Sequence, residues 1–474
     1  MGLNYESVLP FAPEEIFAWH TRPGALRRLL PPWLPVRVLE EASSLRDGRA
    51  VLQLPLGLRL VAEHRPDGYQ AGYSFVDEVT SLPFSLSGWR HTRLFSAAAA
   101  STSTSTSTED VGRGEREGDG GGSLVEDRVQ TYLPGNMLRE IFSYRHRQLA
   151  GDLAAHAEAA RVHGGEQRSW PMTVAITGSS GFIGSELAAF LSTGGHRVIR
   201  LVRRSPAGPL ERQWDPARPS PDTLAGVQAV VHLAGAPIAG RFSAAHKRDV
   251  RESRAGPTRL LAEAAARAAA AGDGPACFVS ASAVGYYGYE LTDDLLTEAS
   301  PRGHGFLADL VEEWEEATSP AAGAGLRVVN VRTGLVLSPR GGLLALLYPI
   351  FFAGMGAKLG NGRQWMSWIG IDDLLDVYLR ALADPGVNGP VNAVSPAPVT
   401  NTEFTRVLAG VLHRPALFSV PAALPSAVLG PEGAKEFALA SQRVAPARLE
   451  SLGHHFRDPE LVAALEHLLG RREG

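Results

Sequence analysis

A chain of 474 residues, 44% hydrophobic and 20% charged, is long enough for two or three globular domains. Its 46 basic and 50 acidic side chains leave a net charge of −4, so no surface for nucleic acid or another polyanion is expected. One cysteine, Cys277, excludes an internal disulfide and a cysteine-based metal cluster; no stretch reaches the roughly 18 uncharged apolar residues of a membrane span, and the N-terminus lacks a basic-then-apolar leader pattern, so a cytoplasmic protein without a metal is expected.

In chain order, the first expected elements are a strand over Tyr5–Leu9, two short helices over Pro13–His20 and Arg22–Leu30, and several strands between Val36 and Phe95. Residues 97–123 are low in complexity and nearly devoid of large apolar side chains, which predicts a disordered insertion at a hairpin tip. A strand over Leu124–Tyr132 follows. Then Leu138, Ile141, Phe142, Arg145, Leu149 and Leu153 recur at helical spacing within 136–160. This β–α–α opening, antiparallel sheet and long closing helix, with Trp19-His20-x-Arg22-Pro23-Gly24 and Tyr144–Leu149, resemble the START-like helix-grip fold over residues 1–158. The resemblance implies a sheet curled around the helix and an apolar ligand in the cavity between them. Arg145, His146 and Arg147 cannot share one helix face, so one is expected in the cavity and the others in solvent. Trp89 and His91 are in phase on a strand, lining a pocket or packing on the helix. Residues 164–169 read as a linker.

Strands alternating with helices begin at 172, as in a doubly wound parallel sheet of α/β type. The apolar run 172–176 leads into Thr177-Gly178-Ser179-Ser180-Gly181-Phe182-Ile183-Gly184 and an amphipathic helix. Three glycines at this spacing describe a dinucleotide cradle: Gly178 permits the tight turn, Gly181 lets backbone approach a pyrophosphate, and Gly184 lets the helix sit close on the strand. Further strands are expected at Arg197–Val202, Ala229–Leu233, Cys277–Ser280 and Arg327–Arg332.

With Leu233-Ala234-Gly235, Ser282-Ala283-Val284-Gly285-Tyr286-Tyr287-Gly288, Arg332-Thr333-Gly334, 360–369 and Asp372-Asp373, the motifs in this order are similar to the extended short-chain dehydrogenase/reductase superfamily, and more closely to its atypical "epimerase family" group. That resemblance implies a Rossmann-type domain over 172–395 and a small C-terminal cap over 396–474. It implies cofactor contacts from Gly178, Gly181, Phe182, Ile183, Gly184, Leu233, Ala234, Gly235 and Arg332. Arg332 has a second reading, as the partner of a structural acid. At the end of the second strand stand Arg203 and Arg204 in place of the acid that holds a ribose 2′-hydroxyl; two guanidiniums suit a 2′-phosphate and favour NADP(H).

The superfamily's hydride-transfer set is a Ser followed by Tyr-x-x-x-Lys. Ser282 matches the Ser, but Phe306 and Leu310 stand where Tyr and Lys belong. A phenyl ring exchanges no proton, and an isobutyl group supplies no charge. Tyr286 or Tyr287 either replaces the missing acid or only lines the pocket. Met366 occupies the position of an arginine that contacts the substrate diphosphate in sugar-nucleotide enzymes, which argues against a nucleotide sugar; Gly370 replaces the usual histidine. Leu343–Phe352, Trp365 and Trp368 read as an apolar pocket wall or as core.

Other candidates carry plainer readings. Glu312, Glu313, Glu315 and Glu316 around Trp314 read as a solvated helix face. His232 reads as a core histidine, Asp215 as a residue approaching adenine, and Asp372 and Asp373 as caps of a helix starting at Leu374. His20, His91 and His146 lack metal-site spacing. Together these describe an NADP(H)-dependent oxidoreductase or isomerase for a small, apolar carbonyl compound, with Ser282 polarising the carbonyl. The alternative is a non-catalytic NADP(H)-binding or sensing protein with an apolar ligand in its N-terminal domain.

Overall fold

A computed structural model describes residues 2–98, 122–164, 170–290 and 293–471, and the chain divides into two compact units, Met1–Ala154 and Ala155–Arg472.

The first unit opens with β1 (Gly2–Leu9), α1 (Pro13–Thr21) and α2 (Ala25–Leu29), continues through β2 (Arg37–Glu40), β3 (Arg49–Gln53), β4 (Arg59–His64), β5 (Ser74–Val79), β6 (Arg90–Ala97) and β7 (Ser123–Gln130), and enters α3 (Gly135–His163). The strands form one antiparallel sheet in the order β1-β7-β6-β5-β4-β3-β2. The second short helix begins later than expected. Arg22 precedes a proline and is extended, and Gly24 turns the chain at φ 97°, so helical geometry is available only from Ala25. The two-residue period of β6 buries His91, Arg93 and Phe95 on one face. Phe75, Phe95 and Val125 of the sheet enclose a core with Ile16, Trp19, Leu29, Leu149 and Leu153. β6 and β7 pair out to Ala97 opposite Ser123, so the segment between them does leave from a hairpin end. Of the 97–123 expected to be disordered, Ala97 and Ser123 are paired strand residues and 99–121 lie outside the described residues, as do 165–169 of the linker expected over 164–169.

The second unit is built on β8 (Thr173–Thr177), α4 (Phe182–Thr193), β9 (Arg197–Val202), β10 (Glu211–Gln213), β11 (Ala229–His232), α5 (Ala244–Glu252), α6 (Ala255–Ala270), β12 (Cys277–Ala283), α7 (Phe306–Glu316), α8 (Ser319–Gly323) and β13 (Arg327–Thr333). With the strand Gly389–Ala393 they make a seven-stranded parallel sheet, β10-β9-β8-β11-β12-β13 and then 389–393. Strand order reverses between β8 and β11. In open α/β sheets a ligand crevice forms at such a switch point, beyond the carboxyl ends of the strands.

One sheet face packs through Val174, Ile176, Val231, Val279 and Val329 into a cluster that includes Leu187 of α4, Leu374 and Leu375 of the helix Ile371–Ala383, and Phe404, Leu408, Leu465 and Leu468 from the C-terminal part of the chain. The other face packs Ala175, Ile199, Val230 and Phe278 against Leu261 and Ala265 of α6. The helix expected from Leu374 begins instead at Ile371 after Gly370, so Asp372 and Asp373 lie inside its first turn and do not cap it. Both are buried, and Asp373 accepts the Arg457 amide at 2.5 Å. Among the described residues no helix is long and apolar enough to cross a membrane.

Candidate functional site

The glycine loop leaves β8 at the switch point. Gly178 has φ 66°, and a Cβ on it would stand 2.8 Å from the Leu233 carbonyl carbon and 2.9 Å from the Ala234 nitrogen. A Cβ on Gly184 would stand 2.3 Å from the Gly178 carbonyl oxygen. Both obstacles are backbone, so neither site accommodates a side chain without moving the loop. Gly181 caps α4 with extended geometry, leaving the first amides of the helix, from Phe182 to Gly184, to face an anion. The Phe182 ring packs on Gly341, whose Cβ would touch it at 2.5 Å, and Ile183 packs against the main core.

Gly178 and Gly181 line a cleft of about 810 Å³ together with Val202, Arg203, Arg204, Trp214, Leu233, Ala234 and Gly235. The two arginines differ. Arg204 forms a two-pronged pair with Glu211, at 2.7 Å for each bond, and also donates to the Ser205 carbonyl. Arg203 is exposed and has no ion-pair partner among the described residues. Asp215 accepts the Ala217 amide at 2.9 Å and is not part of the cleft wall, which takes Trp214 and Pro216 on either side of it.

Behind the loop, Thr177 Oγ1 lies 2.7 Å from His232 Nδ1 and accepts the amides of Leu233 and Ala234. Burial, helped by the Arg254 charge, pushes His232 down to about 4. This ring is neutral and braces two loops. Arg254, which the sequence did not single out, is itself buried, donates to the Ala236 carbonyl at 2.9 Å and lies over the Trp314 ring.

Thr177, His232, Ser280 and Asn330 are aligned across four strands. Ser282, Arg332 and Asn392 are likewise aligned, two residues further toward the carboxyl edge. β12 is two strands from β8, so this second row begins roughly 10 Å sideways from the glycine loop. Its side chains share one face and interlock with α7. Ser282 Oγ donates to Glu315 Oε1 at 2.6 Å; Arg332 binds both Glu315 oxygens, at 2.8 and 2.7 Å. Arg332 also donates to the Tyr287 hydroxyl at 3.1 Å, and that hydroxyl donates to Asn392 Oδ1 at 2.8 Å. The expectation that Glu315 belongs to a solvated face is therefore corrected: its side chain is 13% exposed and fully engaged. Glu312 and Glu313 do lie half in solvent, paired with Arg302 and Arg251.

Burial pushes Tyr287 up to about 12, against the pull of Arg332. Tyr286 differs: it is only partly buried, its ring lies 3.5 Å from the Arg332 guanidinium carbon, and its hydroxyl has no partner among the described residues. Phe306 and Leu310 offer no substitute chemistry. Leu310 is in a small apolar cluster with Phe242 and Val250, and Phe306 packs edge-on against Phe242. The Glu436 carboxylate caps α7 by accepting the Phe306 and Leu307 amides, at 3.1 and 2.9 Å. Met366 is buried and accepts from Asn401, and Trp368 is buried with its indole N–H on the Ala397 carbonyl. The Leu343–Phe352 stretch is a helix, Gly342–Phe352, that buries Leu344 and Phe351 but leaves Leu346, Ile350 and Phe352 exposed. It is neither a closed pocket wall nor core throughout. No cluster of three or more metal-ligating side chains occurs among the described residues.

The sequence pattern misassigned Glu315 and did not single out Asn392, Glu436 or Arg254. Only the buried register position of Asn392 beside Arg332 left a trace in the strand pattern.

Residues 174–393 match the NAD dependent epimerase/dehydratase family, and 420–468 match a domain of unknown function, DUF1731. An epimerase family protein of Mycobacterium bovis is 45% identical over 301 residues, which span 63% of this chain and 98% of that protein. A crystal structure described as the nucleoside-diphosphate sugar epimerase of Corynebacterium glutamicum is similar at TM-score 0.81 and 41% identity, covering 99% of this chain and 90% of its own. The human epimerase family protein SDR39U1, whose crystal structure is described as with NADPH, is similar at TM-score 0.57 and 34% identity, covering 63% of this chain and 99% of its own. With this cradle, this strand order and relatives matched over nearly their whole length, the chain belongs to the epimerase family.

Proposed function

We propose that the second unit is an NADP(H)-dependent oxidoreductase or isomerase acting on a small, apolar carbonyl compound. The observation that carries the cofactor half is Arg203: an exposed guanidinium without an ion-pair partner among the described residues, on the wall of a cleft where Gly178 leaves room only for backbone. A 2′-phosphate supplies the missing anion, and the NADPH in the human relative's structure supports the choice. Gly178, Gly181 and the first turn of α4 would hold the pyrophosphate; Leu233 to Gly235 line the same cleft, with Leu233 and Ala234 against Gly178.

NADPH, when bound, supplies a hydride for the carbonyl carbon. The proton for the carbonyl oxygen comes from Tyr286. Of the three hydroxyls in the cluster, those of Ser282 and Tyr287 are engaged by Glu315 and Asn392, and the Tyr286 hydroxyl has no partner among the described residues. Arg332 lies against its ring, where a cation favours the negative charge that develops on the phenol oxygen as the proton leaves. Ser282, Glu315 and Tyr287 fix Arg332 in that place. Met366 is packed away and offers no cation to a diphosphate, which favours a substrate other than a nucleotide sugar. NADPH oxidation with a panel of aliphatic and aromatic ketones and aldehydes tests this. Tyr286→Phe lowers kcat by about 100-fold or more with unchanged NADPH affinity. Turnover unaffected by Tyr286→Phe removes the assignment.

A non-catalytic NADP(H) holder is the second reading, favoured by the apolar packing of Phe306 and Leu310. It predicts tight NADPH binding with no turnover on any carbonyl. For the first unit, the strand order, the helix pair after β1 and the closing helix support a START-like helix-grip domain with a cavity for an apolar ligand.

A further inference from the structure

The first unit encloses a cavity of about 420 Å³. Its walls are aliphatic and aromatic for the most part, from Leu26 and Leu29 of α2, Leu52 and Leu60 of the sheet, and Leu138 and Ile141 of α3. At one place the wall is strongly polar, where His20, His64, Asp77 and Arg145 reach the cavity.

Behind that place lies a buried ionic network. Asp127 receives both Arg93 and His146, the latter at 2.7 Å. His91 sits between two carboxylates, with Nδ1 2.7 Å from Asp77 and Nε2 2.7 Å from Asp127. An ionised carboxylate only accepts, so both His91 nitrogens donate and the ring carries a charge. Burial alone would depress this ring; the two carboxylates outweigh it and raise its pKa. His20 is depressed by burial and by Arg93, and His64 and His146 are depressed chiefly by burial, so these three are neutral. The expectation that one of Arg145, His146 and Arg147 lies in the cavity and the others in solvent is corrected in its second half. Arg145 alone of the three lines the cavity, while His146 is buried on Asp127 and Arg147 reaches back to Ser143.

The charges of this network do not balance. Arg93, His91 and Arg145 are cations, and Asp77 and Asp127 are the anions. Asp127 is taken by Arg93, His91 and His146, and Asp77 by His91 and the Trp89 indole. Arg145 is left over. It forms no ion pair or hydrogen bond among the described residues, its Nε is sealed from solvent without a partner, and burial pulls it down to about 10. The other acid of the wall, Glu41, is held by the amides of Gly24 and Arg27 at the start of α2. A sealed donor and an uncompensated charge are both costly, and they persist where a ligand completes them.

We propose that this cavity binds an apolar molecule bearing a single carboxylate, which pairs with the Arg145 guanidinium while the apolar body lies against the α2, sheet and α3 walls. One free cation calls for one negative charge. A guanidinium fork matches a carboxylate in two parallel bonds, and Arg22, the other guanidinium of the wall, has contacts of its own. The inference rests on reading the first unit as a cavity-bearing domain, and it adds the head group.

Calorimetric titration of the full chain with decanoate and with decanol tests both parts. Decanoate is expected to bind at least about 10-fold more tightly than decanol. Arg145→Gln abolishes that preference, Arg145→Lys keeps part of it, and Arg139→Gln, on the exposed side of the same helix, leaves it intact. Arg145→Gln is expected to melt no lower than the wild type, since it removes a buried charge without a partner. Equal binding of acid and alcohol, or a preference that survives Arg145→Gln, overturns the carboxylate and leaves the apolar cavity standing. Binding of neither probe overturns both.

Discussion

Glu315 and Arg332 face each other across α7 and β13 with both carboxylate oxygens bound, and the same carboxylate receives the Ser282 hydroxyl at 2.6 Å. Arg332 is 4% exposed, so its charge depends on this one acid. Glu315→Gln keeps the volume and removes the charge. It is expected to cost roughly 3 kcal/mol of stability, because breaking a buried pair leaves an uncompensated ion. Urea unfolding measures it. A midpoint equal to wild type would show that the pair is not what holds α7 to the sheet.

The cradle glycines separate packing from ligand approach. Gly184→Ala drives a methyl group into the Gly178 carbonyl and lowers both thermal stability and nucleotide affinity. Gly181 has φ −72° and its nearest obstacle is 3.2 Å away, so Gly181→Ala folds with nearly wild-type stability. Its defect is confined to binding, where backbone must approach a phosphate, and NADPH affinity is expected to fall about 10-fold or more. Paired melting and binding measurements distinguish the two effects.

His232 links stability to acid. Burial holds the folded ring at about 4, against an ordinary value of 6.5. The unfolded chain binds the extra proton between those values, so the contribution is whole above pH 6.5 and is lost as pH falls toward 4. Its size is on the order of 3 kcal/mol. His232→Gln should flatten the stability–pH curve in that window. An unchanged slope would mean that the ring is not buried neutral.

Asp373 has the opposite sign. Burial first, and then the neighbouring Asp376, raise it to about 8 from an ordinary 3.8. The folded chain holds the proton across that interval, so its contribution is whole below pH 3.8 and lost as pH rises through 8. Asp373→Asn should match wild type near pH 4 and exceed it increasingly up to pH 8, measured by denaturant unfolding. A constant difference across that range would contradict the shift.

The strands beside the glycine loop follow their local pattern. β8 and β9 span 173–177 and 197–202 as their apolar runs indicate, and the three glycines announce a turn whose close contacts are all backbone. What escaped was set by contacts distant in sequence. Glu315 is indistinguishable from Glu312, Glu313 and Glu316 by composition; only the helix phase that turns it toward Arg332 separates it from them. Asp372 and Asp373 look like caps because two acids before an apolar run usually are. The buried helix start at Ile371, with Arg457 and His467 beside these acids, is supplied by the C-terminal part of the chain. The charge surplus at Arg145 arises from five charged side chains on four elements, β5, β6, β7 and α3, and no spacing rule collects those.

If the cleft at the switch point holds NADP(H), Arg203 reads the 2′-phosphate. Titration of wild type and Arg203→Glu with NADPH, NADP⁺, NADH and NAD⁺, followed by fluorescence, tests it most directly. The wild type is expected to prefer the phosphorylated pair clearly, and Arg203→Glu to lose about 100-fold in NADPH affinity with little change for NADH. Equal binding of NADPH and NADH by the wild type, or no binding of any of the four, would contradict it.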